Sequence, residues 1–164
     1  MKTSSNIVIS PAQMADAVSI AELSRDLIEA GLGWRWRAAR VLSMIREPEC
    51  VVLTARRDET LLAFAIMQFE PTHAHLNLLA TAKDYQRQGH ARRLLDWLVA
   101  SARVAGLDQI IVEVRAGNRS AQAYYAALGF SFRRRLKGYY AGREDALQLV
   151  WTLIEPEMAA RRPR

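Results

Sequence analysis

Six consecutive residues, Gln86-Arg87-Gln88-Gly89-His90-Ala91, carry the clearest chemical potential in the chain. They follow an apolar run, Leu76 to Thr81, and they precede Ala91, Leu94, Leu95, Leu98, Val99 and Ala102, which recur at helical spacing. A strand that turns through small residues into a helix leaves first-turn N–H groups without intrahelical acceptors, at the positive end of the helix dipole. Such a turn binds phosphate through main chain, without needing one particular side chain. Gly89 admits a close anion, Ala91 keeps the second contact small, and Arg87 and Arg92 add charge for oxygens. Q-x-x-G-x-A is a short pattern, however, and an ordinary loop between strand and helix would share it.

Other chemistries find less support. The sequence has no G-x-x-x-x-G-K-[ST], no G-x-G-x-x-G and no G-x-S-x-G, which sets aside triphosphatase, dinucleotide and hydrolase readings. His73, His75 and His90 lack a cysteine or carboxylate framework, so no metal site is expected. The single cysteine, Cys50, sits beside Val51, Val52 and Leu53, the setting of a buried strand thiol rather than a nucleophile. One cysteine also precludes an internal disulfide, which fits a reducing compartment and a cytoplasmic location. Met1 to Ser10 lacks a continuous apolar stretch, and no apolar run approaches the roughly 20 residues of a membrane span, so no membrane partner is expected. The net charge of +6 attracts anions of any kind, whether phosphorylated ligand, nucleic acid or acidic partner.

The elements that must position the turn read as follows. Ile7 to Ser10 predicts a first strand, and Ser10, Pro11 and Gln13 predict a capped helix start with its stop near Gly31. Trp34 to Arg46 predicts a second helix, ended by Pro48. Cys50 to Arg56 and Leu61 to Phe69 flank the polar turn Arg57-Asp58-Glu59-Thr60 as a hairpin. After the Gly89 helix, which Gly106 stops, come a strand Gln109 to Arg115, a helix from the N-cap Asn118 to Leu128 with Gly129 beyond it, and strands Phe130 to Leu136 and Ala146 to Ile154. The expected fold is α/β with a mixed sheet in three layers. A single domain is expected over residues 1–155, followed by a basic tail over 156–164.

The stretch Glu113-Val114-Arg115-Ala116-Gly117-Asn118, with Ala121, Tyr125, Leu128, Gly129 and Phe130, reads E-V-R-x-x-N-x-x-A-x-x-x-Y-x-x-L-G-F. Placed after Q-x-x-G-x-A, it resembles the GNAT superfamily of N-acetyltransferases, over about half of the chain, Leu76 to Phe130. Ala63-Phe64-Ala65-Ile66, Asp84 to Gly89, and Tyr139-Tyr140 with Gly142-Arg143-Glu144-Asp145-Ala146 are similar to the ribosomal-protein-alanine N-acetyltransferase subgroup. That likeness runs from about Leu62 to Leu149 and stops before it. The subgroup's Pro-Trp-Ser element is absent, Gly31 to Arg37 stands in its place, and the loop after Tyr140 is shorter. In the superfamily those two regions line the acceptor site.

The resemblance implies the αβα acyl-CoA N-acyltransferase fold with a splayed central sheet, and acetyl-CoA as cosubstrate. Pantetheine would pair with main chain of Leu79, Ala80 and Thr81, and pyrophosphate would sit on the N–H groups of Arg87, Gln88, Gly89, His90, Ala91 and Arg92. Asn118 would cap its helix and touch the cosubstrate. Glu113 matches the subgroup's general base, and burial within Ile110-Ile111-Val112 would raise its pKa by desolvation. Tyr125 matches the superfamily's general acid, with Tyr124 as its neighbour and competitor; the stripe Ala121, Tyr124, Tyr125, Leu128 also suits plain core packing. Trp34, Tyr139 and Tyr140 are candidate walls of an acceptor groove, together with Trp36. Arg133-Arg134-Arg135 and Lys137 suit either a solvated strand face or an acidic partner.

The implied reaction is acetylation of a primary amine, with a protein amino terminus as the first expectation and a small-molecule amine or amino acid derivative as the second. A binding module without turnover and an RNA-binding domain are the remaining readings. Retention of Glu113 and Tyr125 argues against the former, and absence of nucleic-acid motifs against the latter. Either a monomer or a homodimer is compatible with the sequence.

Overall fold

The computed structural model describes residues 6–153. The ends of the expected domain, Ile154 and the basic tail over 156–164 therefore lie outside the described residues. The chain divides into two compact units, one formed by residues up to Gln68 with Leu76–Leu98, the other by Phe69–His75 with the residues from Val99 onward.

In the first unit, β1 (Ile7–Pro11) pairs antiparallel with β2 (Cys50–Arg57), and β2 with β3 (Thr60–Phe69); β4 (Ala74–Thr81) follows β3 in the order. The hairpin turn is only Asp58-Glu59, with Asp58 at φ +52°, a left-handed conformation that Asp tolerates better than most residues. All of Leu62 to Met67 is fully buried, so β3 is covered on both faces and its sequence shows no alternation. Helices α1 (Ala17–Leu27) and α2 (Ala38–Arg46) place Ile20, Ala21 and Val41 against Val52, Phe64, Ile66 and Leu78. That cluster is the hydrophobic core of this unit.

Two expected boundaries are corrected here. Ser10 and Pro11 belong to β1, because Ser10 pairs with Thr54 and Pro11 with Leu53; Pro11 tolerates the strand by standing at its last position. The chain turns into α1 through a short 3-10 turn, Met14–Asp16, where Gln13 N–H donates to Asp16 Oδ2 at 2.7 Å. Trp34 to Arg37 are not helical. Gly33 is left-handed at φ +84°, and the buried Glu29 carboxylate accepts from Arg35 N–H at 2.8 Å and Trp36 N–H at 3.2 Å. Arg37 is still extended, at ψ 165°, so α2 starts only at Ala38.

In the second unit, β5 (Gln109–Arg115) pairs antiparallel with β7 (Glu144–Thr152), which also pairs with β6 (Ser131–Tyr140). β5 and β6 therefore run parallel on either side of β7. Helix α4 (Arg119–Leu128) connects them, as a crossover between parallel strands requires. Its ends fit the sequence reading. Asn118 Oδ1 accepts from Ala121 N–H at 3.1 Å, and Gly129, at φ +105°, lets Phe130 N–H reach Tyr125 O at 3.0 Å. Helix α3 (His90–Val104) runs from the first unit into the second, with Leu94, Leu95, Leu98 and Ala102 fully buried. The mixed α/β class is as expected. Strand β6 runs four residues past the expected end, and its pairing shifts register between Leu136 and Tyr140 as it does so.

Candidate active site

Glu113 lies in the middle of β5, opposite Gln148 of β7 in the strand register. Cross-strand neighbours on one face stand within side-chain reach, and Gln148 Nε2 donates to Glu113 Oε1 at 3.1 Å. The Gln148 amide has its orientation fixed from the other side, since Arg134 Nε donates to Gln148 Oε1 at 3.0 Å. The second carboxylate oxygen, Oε2, lies 2.5 Å from His75 Nε2 at the start of β4. These side chains line a cavity of about 510 Å³, together with Glu70, His73, Ile111 and Arg133. The cavity is polar and contained within the second unit.

The expected pKa rise at Glu113 is reversed. Burial does push its carboxyl upward, but the His75 hydrogen bond and charge, with the Gln148 bond, outweigh burial and hold it below the ordinary value of 4.5. The sequence suggested desolvation because it shows only the apolar strand neighbours; the polar partners come from strands 38 and 35 residues away. His75 is the cavity-lining partner of Glu113 to which the sequence alone assigns no role. The available signal was strand alternation, which places His75 on the face opposite to the buried Ala74 and Leu76.

Tyr125 is 7% exposed on α4, and its ring meets Tyr124 and Phe130 edge-on, at centroid distances of 5.6 and 5.2 Å. Burial, followed by the charges of Tyr124 and Tyr140, keeps its phenol protonated well above the usual tyrosine range. Tyr140 is raised in the same sense by burial, then by Tyr139 and Glu113, with Arg115 opposing. Glu113, Tyr125 and Tyr140 thus share one electrostatic neighbourhood, in which a carboxylate is held ionised and two phenols are held neutral. Tyr124 and Tyr139 are more exposed, at 37% and 45%, and Tyr139 meets Tyr140 edge-on at 4.9 Å.

The root of the β6–β7 hairpin is tied to the end of β5. Glu144 accepts from Arg115 Nε at 2.6 Å and from Gly117 N–H at 3.1 Å, while Asp145 accepts from Gly138 N–H at 2.8 Å. A Cβ at position 117 would stand 2.9 Å from Glu144 Oε1, so any larger residue there would make that carboxylate shift.

The second candidate feature belongs to the first unit. After β4, Ala82 N–H donates to Leu62 O at 2.8 Å, and Gln86 Nε2 donates to Thr81 O at 3.1 Å. Arg87 and Gly89 then adopt φ of +63° and +84°, and Arg93 N–H closes the first bond of α3 onto Gly89 O at 3.1 Å. A Cβ built at Gly89 meets nothing within 4 Å, so the space beside it is open. The N–H groups of His90, Ala91 and Arg92 precede any possible intrahelical acceptor. An open main-chain turn with these donors and flanking arginines suits a pyrophosphate. The His90 imidazole is buried, with Nε2 3.3 Å from Gln88 Oε1, and burial, with Arg57 and Arg93 nearby, lowers its pKa. Its contribution to an anion is through main chain. Arg92 is exposed and pairs with Asp96 at 3.2 Å. Leu79, Ala80 and Thr81 are half-buried at the end of β4, and Asn118 is occupied as the α4 cap.

Trp34 sits in the first unit. Its indole N–H is shared between Ala21 O and Trp36 O, both at 3.1 Å, and the guanidinium groups of Arg25 and Arg37 lie over its ring. Trp36 is buried in that unit's core.

Comparison with known proteins supplies the family. The model of the acetyltransferase (GNAT) family matches residues 19–130. The [ribosomal protein bS18]-alanine N-acetyltransferase of Escherichia coli K12 is 42% identical over 88 residues, which are 52% of this chain and 60% of that protein. The chain thus spans about 60% of the length of that relative. The crystal structure of the ribosomal-protein-S18-alanine N-acetyltransferase from Escherichia coli superposes with a TM-score of 0.78 at 27% identity, covering 92% of this chain and 96% of that one. Arabidopsis thaliana NAA60 in complex with acetyl-CoA shares the fold, with a TM-score of 0.75 at 19% identity, covering 90% and 98%. The superfamily indicated by the motif residues is borne out, as are the fold and the similarity to the ribosomal-protein-alanine subgroup. The chain belongs to the acetyltransferase (GNAT) family.

Proposed function

We propose that this chain transfers the acetyl group of acetyl-CoA to a primary amine, and that the acceptor is a protein amino terminus bearing a small first residue such as alanine. The observation that carries the reading is the Glu113 cluster: an ionised, fully bonded carboxylate opening into a cavity of about 510 Å³ beside two neutral phenols. Similarity to alanine N-acetyltransferases supports the choice of acceptor.

In this reading the Arg87–Arg92 turn holds the pyrophosphate on main-chain N–H groups, Leu79 to Thr81 offer main chain to the pantetheine arm, and Asn118 touches the cosubstrate. Acetyl-CoA supplies a thioester carbonyl open to attack. Glu113 takes the proton that makes the amine nucleophilic, and Tyr125 gives a proton to the departing thiolate. Tyr139 and Tyr140 on the hairpin wall the acceptor. A single cysteine suits a reducing, cytoplasmic setting for the reaction.

A thiol-release assay tests this against peptides beginning with alanine, peptides with internal lysine, free polyamines and amino acid derivatives. Alanine-terminated peptides are expected to turn over fastest. Preference for lysine side chains or free amines would replace the acceptor assignment, and absence of turnover with every amine would end the enzymatic reading.

A further inference from the structure

Glu113 is engaged on both oxygens before any acceptor arrives. Gln148 holds Oε1 and is itself held by Arg134, so this side of the clamp is a fixed chain of donors. His75 holds Oε2 across 2.5 Å, with the two side chains 24% and 11% exposed. The two sides differ in kind. An amide donor keeps its charge at every pH, whereas an imidazole changes charge across the neutral range. A cation beside a carboxylate favours the ionised form and makes it a weaker base; a neutral donor in the same place keeps the geometry without that penalty.

We propose that His75 is a positioning residue for Glu113 that also sets the pH at which Glu113 becomes a competent base. The inference rests on the acetyl-transfer reading above. With His75 neutral, Nε2–H donates to Oε2 and aims the carboxylate into the cavity. The acceptor ammonium loses its N–H proton to Glu113, which becomes the carboxylic acid, and the freed amine attacks the thioester carbon. The C–N bond forms, the C–S bond breaks, and the thiolate takes the proton of Tyr125. The second proton shed by nitrogen restores that phenol, and Glu113 returns its own to solvent through the cavity. With His75 charged, the first transfer runs against the imidazolium field and slows.

Other charges face the pair from each element around it. Glu70 and His73 stand on the segment joining β3 and β4, Arg115 is on β5, Arg133, Arg134 and Tyr140 are on β6, and Glu144 is on β7. Both signs are present. Among them only His73 is a second imidazole, and its Nδ1 lies 3.1 Å from Thr72 Oγ1.

The test compares kcat at saturating substrates from pH 5.5 to 9 for the full chain, His75→Gln and His75→Ala, using whichever amine of the panel turns over. Taking the ratio of two profiles cancels the acceptor's own ionisation. His75→Gln keeps a neutral donor, so kcat should stay within about threefold of wild type at pH 9 and exceed it at pH 5.5–6. His75→Ala removes the donor, so kcat should fall about 100-fold at pH 9, and by less at pH 5.5–6, where wild type is itself slowed, with the KM for acetyl-CoA unchanged. Gln148→Met is the second arm, with kcat lowered and the wild-type pH dependence retained. Parallel profiles for His75→Gln and wild type, wild-type kcat in His75→Ala, or loss of the pH dependence in Gln148→Met would overturn the inference. A different preferred amine revises the proposed function and leaves this comparison intact; absence of turnover overturns both.

Discussion

The turn before α3 and the cluster around Glu113 solve opposite problems with opposite materials. The turn offers main-chain N–H groups at a helix start, and its one strict demand on residue type is the left-handed backbone at Gly89. The Glu113 cluster is built from side chains on four strands, His75, Glu113, Gln148 and Arg134, and each must be present for the next to be held. Anion binding by backbone tolerates sequence change around it. The Glu113 carboxylate does not, because its proton affinity is a sum over named neighbours.

Breaking the first half of this comparison should give the largest effect. Gly89→Trp meets no protein atom at its Cβ, so its side chain projects into the open space where phosphate is expected. It also adds strain of roughly 1–2 kcal/mol at a positive φ. Acetyl-CoA affinity measured by calorimetry should fall more than 100-fold, and unchanged affinity would remove the turn from the site.

The cluster should show the reverse pattern, with chemistry lost and binding kept. Tyr125→Phe is expected to lower kcat by about 100-fold while leaving acetyl-CoA affinity within twofold, whereas Tyr124→Phe retains activity. If the two variants exchange behaviour, Tyr124 is the acid. The smallest effect concerns stability. The pKa of Glu113 is lowered by folding, so its contribution is present above the ordinary value of 4.5 and is lost as pH falls through the lowered folded value. The thermal midpoint of Glu113→Gln should therefore decline less steeply than wild type below pH 4.5, by a few degrees at most. Equal slopes would mean that the bonds to His75 and Gln148 do not favour the ionised form.

What the sequence made legible follows the range of the interactions. The β5 limits, the Asn118 cap, the Gly129 stop and the glycine of the turn are decided by residues within a few positions of each other, and all were readable. The start of α1 was not, since Pro11 takes its conformation from Leu53 across a strand pair. The Trp34–Arg37 segment is not helical: Gly33 turns left-handed before it, Arg37 is extended at its end, and Glu29, six and seven residues earlier, bonds the N–H groups of Arg35 and Trp36 between them. His75 and the sign of the Glu113 shift were hidden for the same reason at longer range. Only strand register brings positions 75, 113, 134 and 148 together.

The carboxylates at the base of the β6–β7 hairpin separate two histories that might otherwise be linked. Glu144 and Asp145 fasten the strand ends, so the three-residue turn between the strands, Ala141 to Arg143, is a tip that can change without moving them. Lengthening or rewriting that tip changes what the enzyme can grasp without shifting β5 or the carboxylate upon it. Under the proposed function, a lineage could therefore change its acceptor by loop exchange alone, with the acetyl donor and the bonded carboxylate kept.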